Sequence, residues 1–145
     1  MIYTPLTKKA MLIAFNAHKE QFDKSGVPYI YHPIHLAEQM DDEVSTCAAL
    51  LHDVVEDTDM TFDDLTREGF PKSVTDALRL LTHDNDTPYM DYVRAIKQNP
   101  IAKKVKLEDL RHNSDLSRIE NPDDYALRRN EKYLHAIAIL CDDEV

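Results

Sequence analysis

The adjacent pair His52-Asp53 is the feature of this sequence that most directly suggests chemistry. A leucine pair precedes it, a valine pair follows it, and Glu56 and Asp57 stand four residues further on. The apolar spacing predicts a helix here, which places the later carboxylates about one turn beyond the pair. Imidazole and carboxylate are ligands for a divalent metal ion, and a nearby carboxylate can orient or deprotonate a bound water. The alternative is a solvated acidic edge, which the apolar flanks disfavour.

Two further segments could complete a ligand set. The turn over residues 28–33 contains His32, with His35 shortly after it as an alternative, and the segment 105–113 holds Asp109. Histidines beside prolines often cap helices, and an aspartate in a charged helix is usually a surface residue. His112 follows Asp109 by three residues and could simply pair with it on one helix face. The residues alone therefore leave the ligand set open.

The composition suits one compact domain over residues 1–145 and argues against a nucleic-acid partner. The chain has 145 residues, of which 43% are apolar, enough for a packed core. Its 17 basic and 27 acidic residues give a formal net charge of −10, which repels nucleic-acid phosphates. No apolar run is long enough to cross a membrane, and the two cysteines form no C-x-x-C pair. We expect a cytoplasmic protein with reduced thiols, and its oligomeric state stays open.

An all-α fold of about eight helices is predicted from the spacing of the apolar residues. The segments are separated by clusters of Gly, Pro, Asn and Asp, and none alternates with the period of a strand. The longest predicted helices cover about residues 6–22, 44–56, 100–117 and 122–141. Thr61 and Asp64 form a capping box that starts a helix. Pro33, Pro71 and Pro88 are expected in the first turn of the helices that they open.

Three blocks of the sequence resemble a known family. They are residues 17–33 (AHKEQFDKSGVPYIYHP), 48–58 (AALLHDVVEDT) and 105–113 (VKLEDLRHN). In order and approximate spacing these blocks are similar to the HD-domain metal-dependent phosphohydrolases, in the branch of the RelA/SpoT-type (p)ppGpp hydrolases. The resemblance covers about residues 10–118, and it is far more specific than a lone His-Asp pair. It implies an all-α HD-domain helical bundle.

The resemblance also implies one divalent metal ion and its ligands. The ligands carried over are His32, His52, Asp53 and Asp109. The ion implied is Mn²⁺, with Fe²⁺ and Zn²⁺ as alternatives, since two nitrogens and two carboxylates suit such ions and leave positions for water.

The family reaction assigns roles to further residues. In that family the 3′-pyrophosphate of (p)ppGpp is removed to give GDP or GTP. Glu56 and Asp57 match the catalytic acids of the family, while Lys24, Ser25 and Asn113 match positions that lie against the nucleotide. Five basic side chains are candidates to offset charge on the phosphoryl oxygens: Lys24, Lys103, Lys106, Arg111 and Arg118.

Two departures from the family pattern keep the substrate open. The loop reads Asp23-Lys-Ser-Gly, where the family usually has Arg-Lys-Ser-Gly with the arginine packed on the guanine base. The third block reads Asp-Leu-Arg-His-Asn in place of Asp-Arg-Leu-His-Asn. The leading expectation is a (p)ppGpp 3′-pyrophosphohydrolase. The alternatives are an HD hydrolase acting on another nucleotide or phosphate ester, a binding module without turnover, and a purely structural helical domain.

Overall fold

The computed structural model describes residues 1–142, which form an all-helical fold, as predicted. In chain order the helices are α1 (Pro5–His18), α2 (Tyr31–Glu38), α3 (Glu43–Leu51), α4 (Val54–Asp57), α5 (Phe62–Arg67), α6 (Lys72–Leu81), α7 (Tyr89–Ile96), α8 (Pro100–Asn113) and α9 (Asp124–Cys141). A 3-10 turn, Leu116–Arg118, connects α8 to α9. The described residues pair in strand fashion only at an isolated antiparallel bridge between Phe22 and Pro28. None of the helices described combines the length and hydropathy that a bilayer span requires.

Helix α3 is the centre of the core and packs against α1, α2, α6 and α8. Every residue from Ser45 to Leu51 is buried. A helix can be buried on all sides only if its side chains are small or apolar all round, and this stretch reads Ser-Thr-Cys-Ala-Ala-Leu-Leu. Cys47 is fully buried and Cys141 is exposed, and both are free thiols. The helices packed around α3 therefore fix its position in the core. They thereby also fix the position of His52, which follows α3 directly.

The helix predicted over residues 44–56 is divided at the His-Asp pair, so this prediction is wrong in detail. Residues 52 and 53 separate α3 from α4 and account for the difference between eight and nine helical segments in residues 1–142. The Nδ1 atom of His52 lies 2.7 Å from the carbonyl oxygen of Ala49, which is the acceptor that the amide of Asp53 would use in a continuous helix. At this break the Nε2 atom of His52 and the Oδ2 atom of Asp53 lie 3.0 Å apart, whereas a regular helix directs adjacent side chains about 100° apart.

Two predicted helices end earlier than the apolar spacing indicates. Helix α1 ends at His18 because Gln21 folds back, with its side chain on the His18 ring and on the carbonyl of Ala17. Helix α8 ends at Asn113, and the 3-10 turn takes the place of its predicted last turn.

The predicted helix starts are close to the observed ones. The capping box of Thr61 and Asp64 is present, with both of its reciprocal hydrogen bonds. Pro33 lies in the first turn of α2, whereas Pro71 and Pro88 each stand one residue before their helices. A proline at that position costs no hydrogen bond, because the first amides of a helix have no partner within it.

Helix α3 depends on an N-cap at Asp42, and this generates a stability prediction. The Oδ1 atom of Asp42 accepts hydrogen bonds from the amide and the hydroxyl of Ser45, both at 2.7 Å. We expect Asp42→Ala to lower the free energy of unfolding by about 1 kcal/mol, measured by urea denaturation at pH 7. The bonds from Ser45 lower the pKa of Asp42, so its contribution is lost as pH falls through that lowered pKa.

The neighbouring residue offers a matched control. Asp41 forms an exposed ion pair with Lys104, and exposed pairs contribute about 0–1 kcal/mol. Asp41→Ala should therefore cost less than Asp42→Ala. Equal losses in the two variants would show that the cap does not stabilise α3.

Candidate metal centre

Three of the four predicted ligands meet in the core of the fold. His32 comes from α2, His52 follows α3, and Asp109 comes from α8. The His32 Nε2 atom lies 2.9 Å from Asp109 Oδ1, and the His52 Nε2 atom lies 3.8 Å from the same oxygen. One donor atom from each residue lies within 4.8 Å of the other two, and all three residues are buried. This trio can converge on a single cation.

The hydrogen bonding of His52 leaves a nitrogen free for a metal ion. Its Nδ1 faces the carbonyl of Ala49, which only accepts hydrogen bonds, so the proton is assigned to Nδ1. The Nε2 atom then carries a lone pair; it is buried, and carboxylate oxygens of Asp53 and Asp109 lie 3.0 and 3.8 Å from it. Burial alone lowers the pKa of His52, but the carboxylates of Asp53 and Asp109 raise it to about 9. The site therefore attracts a positive charge to Nε2, for which a proton and a metal ion compete.

The fourth predicted ligand, Asp53, adjoins the trio. Its Oδ2 atom lies 3.0 Å from His52 Nε2 and accepts a hydrogen bond from the hydroxyl of Tyr29. Burial raises the pKa of Asp53, but His52 and Tyr29 outweigh this effect and bring it to about 2. Burial and the Asp53 carboxylate raise the pKa of Tyr29, so the phenol keeps its proton and donates it. Asp53 is thus held as a carboxylate beside the trio.

Asp109 is oriented by two residues of its own helix. Lys106 Nζ lies 2.9 Å from Oδ2, and Asn113 Nδ2 donates to Oδ1 at 2.9 Å. Burial would raise the pKa of Asp109, but Lys106 and His32 hold it well below its usual range. Lys106, a candidate to offset phosphoryl charge, and Asn113, a candidate nucleotide contact, both contact Asp109 in the structure. The signal for Lys106 was its i,i+3 spacing to Asp109.

His112 supports His32, a role that the sequence analysis missed. The Nδ1 atoms of the two rings are 2.7 Å apart, and the rings are stacked at 5.0 Å. Burial and the charge of Arg118 lower the pKa of His112 to about 4, so His112 is neutral and can accept from His32 Nδ1–H. That assignment leaves His32 Nε2 for a metal ion. His35 stacks on His112 at 4.1 Å and lies outside the trio.

The predicted catalytic acids, Glu56 and Asp57, are exposed residues at the end of helix α4. Glu56 Oε1 accepts a hydrogen bond from the amide of His83 at 3.0 Å, which fixes that carboxylate. Desolvation and the neighbouring carboxylates of Asp53 and Glu56 raise the pKa of Asp57. A carboxylate with a raised pKa is a better proton acceptor than an ordinary one.

Two cavities open beside the metal centre. The larger, about 460 Å³, includes His32, His35 and His112 in its wall, and the smaller, about 280 Å³, includes Lys24 and Ser25. The walls share four residues: Asp23, Tyr29, Asn113 and Arg118. Cavities of this size accommodate a small-molecule ligand. The three residues predicted to contact a nucleotide, Lys24, Ser25 and Asn113, all line the smaller cavity.

The loop around Asp23 has a structural reason for its acidic residue. Asp23 Oδ1 accepts hydrogen bonds from the amides of Ser25 (2.8 Å) and Val27 (3.0 Å). Gly26 between them has φ +82°, a conformation that favours glycine. The second oxygen of Asp23 is 3.7 Å from the guanidinium of Arg118, and Ser25 Oγ donates to the Arg118 carbonyl. The negative charge of Asp23 is therefore offset by Arg118 at the same cavity.

The geometry of the trio predicts metal-dependent stability. We expect the protein to bind one Mn²⁺ ion and to gain about 2.7 kcal/mol of stability when the free ion is at 100 times its Kd. His52→Ala should lose both effects, because it removes the buried Nε2 atom. Calorimetric titration and thermal melts with and without chelator measure them. His135→Ala, on the exposed face of α9, is the control and should bind the metal ion as the parent does. Metal binding that survives His52→Ala would contradict this assignment.

The contact between His112 and His32 generates a second prediction. His112→Phe keeps a stacked ring but removes the nitrogen that faces His32 Nδ1, so we expect a loss of about 10–100-fold in metal affinity. His35→Phe, on the outer side of the same stack, is the matched control and should leave the affinity unchanged. Equal affinities of the two variants would show that stacking, rather than the hydrogen bond, orients His32.

Comparisons with known proteins identify the family of this chain. A family profile described as "HD domain" matches residues 10–113. The bifunctional (p)ppGpp synthase/hydrolase SpoT of Escherichia coli is 38% identical over 96 residues, which cover 63% of this chain. The chain spans only 14% of the length of that protein.

Shorter relatives match most of the chain. The human guanosine-3′,5′-bis(diphosphate) 3′-pyrophosphohydrolase MESH1 is 35% identical over 134 residues, covering 83% of this chain and 74% of the human protein. The Danio rerio protein of the same name is 35% identical over 145 residues, covering 90% and 79%.

A solved structure shares the fold. It is described as a metazoan ortholog of SpoT that hydrolyzes ppGpp and plays a role in starvation responses, and it matches with a TM-score of 0.74 at 26% identity. The match covers 97% of this chain and 85% of the other. The helical fold, the buried His-His-Asp trio that suits a divalent metal ion, and these matches lead to one conclusion: the chain belongs to the HD-domain family.

Proposed function

We propose that this protein is a metal-dependent phosphohydrolase that removes the 3′-pyrophosphate of guanosine-3′,5′-bis(diphosphate). The observation that carries the proposal is the buried trio of His32, His52 and Asp109 beside cavities of about 460 and 280 Å³. The human and Danio rerio relatives, named for this reaction, support it by their similarity over most of this chain.

The metal ion would be held by His32, His52, Asp53 and Asp109. Two nitrogens and two carboxylates suit Mn²⁺, with Fe²⁺ and Zn²⁺ as competitors whose occupancy also depends on supply. A bound divalent ion supplies Lewis acidity, which activates water and offsets the charge of a phosphoryl group. The hydrogen bonds to Ala49, Tyr29, Lys106 and His112 supply the orientation that metal ligands need.

Asp57 and Glu56 would handle the proton of the attacking water. Water adds to the phosphorus bonded to the 3′ oxygen, the bond between that phosphorus and the 3′ oxygen breaks, and the released oxygen takes a proton. The raised pKa of Asp57 suits proton transfer at neutral pH better than an ordinary carboxylate does. Glu56 is fixed by the His83 amide and would orient the same water.

The nucleotide would occupy the two cavities. Lys24 and Arg118 supply positive charge there, and Ser25 and Asn113 supply hydrogen-bonding groups. Lys24 is also placed over the ring of Tyr125, with Nζ 4.9 Å from its centroid. Local positive charge matters because the chain has a formal net charge of −10, which otherwise repels polyphosphates and disfavours nucleic acid.

Product analysis tests this proposal. The purified protein with Mn²⁺ is offered guanosine-3′,5′-bis(diphosphate) beside GTP, ATP and dGTP, and products are separated by anion-exchange chromatography. We expect GDP and pyrophosphate from the first compound, and a loss of roughly 10²–10⁴-fold in rate for Asp57→Asn. Asp53→Ala should abolish turnover, because it removes a metal ligand.

The outcomes of this experiment separate the alternatives. Turnover of a different nucleotide alone would keep the hydrolase and reject the proposed substrate. Metal binding with no turnover of any nucleotide would favour a binding module. His135→Ala, on the exposed face of α9, should match the parent and exclude a general effect of removing a histidine.

A further inference from the structure

The loop over residues 82–88, which joins α6 to α7, contacts one of the proposed catalytic acids through its backbone. The amide N–H of His83 donates to Glu56 Oε1 at 3.0 Å. Glu56 is exposed at the end of α4, where a long side chain has several rotamers available. Holding such a side chain in one rotamer costs conformational entropy, which a fixed partner must offset. The orientation of Glu56 therefore depends on what fixes the His83 amide.

The side chain of His83 is anchored within its own loop and on two tyrosine rings. Its Nε2 atom lies 2.7 Å from the carbonyl oxygen of Thr87, which only accepts, so the proton is assigned to Nε2. Its ring centroid is 4.6 Å from that of Tyr92 and 5.8 Å from that of Tyr89, the second pair meeting edge to face. Aromatic pairs at such distances add stability beyond the area that they bury. The imidazole thus restrains the backbone of residue 83.

Tyr92 contacts the start of the loop in a second way. It is buried, and its hydroxyl donates to the carbonyl of Leu81, the last residue of α6, at 2.6 Å. Its ring stacks on His83, two residues later. One side chain from α7 therefore contacts the chain on each side of Thr82, where the chain leaves α6.

Lys106 connects Tyr92 to the metal centre. Its Nζ atom lies 5.3 Å from the centroid of the Tyr92 ring, within the range of a cation–π interaction. The same nitrogen lies 2.9 Å from Oδ2 of Asp109, a predicted metal ligand. A continuous series of contacts therefore leads from that ligand, through Lys106 and Tyr92, to the ring of His83.

We propose that His83 and Tyr92 are positioning residues for Glu56, and that their stacked rings hold the His83 amide where it orients the Glu56 carboxylate toward the attacking water. The amide occupies one carboxylate oxygen and leaves the other to accept from that water. His83 and Tyr92 act through Glu56, and neither exchanges a proton in the reaction. The inference rests on the proposed function, because it deepens the role of Glu56.

Substitutions at residue 83 separate the ring from the amide. His83→Ala removes the ring contacts and keeps the N–H, whereas His83→Phe keeps an aromatic ring and loses the bond to Thr87. We expect His83→Ala to lower kcat about tenfold with KM and Mn²⁺ affinity unchanged, the size of effect that one misplaced hydrogen bond produces. His83→Phe should recover most of the loss. An equal loss in the two variants would overturn the proposal.

Tyr92→Leu removes the other ring of the pair. It should lower kcat by a similar factor and have no further effect in the His83→Ala background, because both substitutions break the same contact. Tyr92 is buried, so a thermal melt first establishes that the variant folds; if it does not, the variants at residue 83 decide the test. An unchanged kcat in folded Tyr92→Leu would overturn the role of that residue.

A double-mutant cycle with Glu56 tests whether the rings act through that carboxylate. If they do, His83→Ala should have no further effect on kcat in the Glu56→Ala background. The matched control is Asn85→Gly, which adds backbone freedom at an exposed residue of the same loop and should leave kcat unchanged. Additive losses in the cycle, or a loss in Asn85→Gly equal to that in His83→Ala, would overturn the proposal in favour of a general loosening of the loop.

A readout that does not need turnover completes the test. In ¹⁵N-labelled protein loaded with diamagnetic Zn²⁺, the amide proton resonance of His83 should move upfield in Glu56→Ala, because the amide loses a charged acceptor. A His83 resonance that does not move would overturn the proposal even in an active enzyme. Absence of turnover in the parent, with this shift present, would instead reject the proposed function, so the two failures are distinguishable.

Discussion

The buried carboxylate of Asp109 is the constraint on which the rest of the site depends. An ionised carboxylate in the interior is costly unless charges and hydrogen bonds surround it. Lys106 and Asn113 meet this need from the same face of α8, at spacings of three and four residues, and His32 meets it from α2. Because α8 must turn this face inward, α2 and the end of α3 must approach it. The position of the metal centre thus follows from how one charge is accommodated.

The composition of α3 makes that approach possible. Alanine, serine and cysteine side chains let neighbouring helices come close on every side, so α3 can pass through the middle of the fold. After the break, His52 lies beside both Asp53 and Asp109, and Glu56 and Asp57 at the end of α4 are exposed. Core packing and site geometry are therefore set at the same junction.

The fold class and the trio were predictable from the sequence, but their supporting contacts were not. Apolar spacing and turn residues indicated helices, and the three matching blocks indicated His32, His52 and Asp109. Helical periodicity did not predict the break at residue 52, because that break depends on a side chain bonding to the Ala49 carbonyl. The role of His112 depends on how α2 and α8 pack together, and its local sequence does not differ from that of an ordinary surface histidine.

The wall that the two cavities share combines residues from two distant parts of the chain. Asp23 lies in the loop before α2, and Arg118 lies in the 3-10 turn after α8. Ser25 and Arg118 are 93 positions apart, yet the loop and the 3-10 turn are joined by a hydrogen bond and an ion pair. Arg118 also donates to the carbonyl of His112, behind the metal centre. Substitutions in these two segments can consequently change the charge of the cavity wall while the trio, which lies in α2, just after α3 and in α8, is kept.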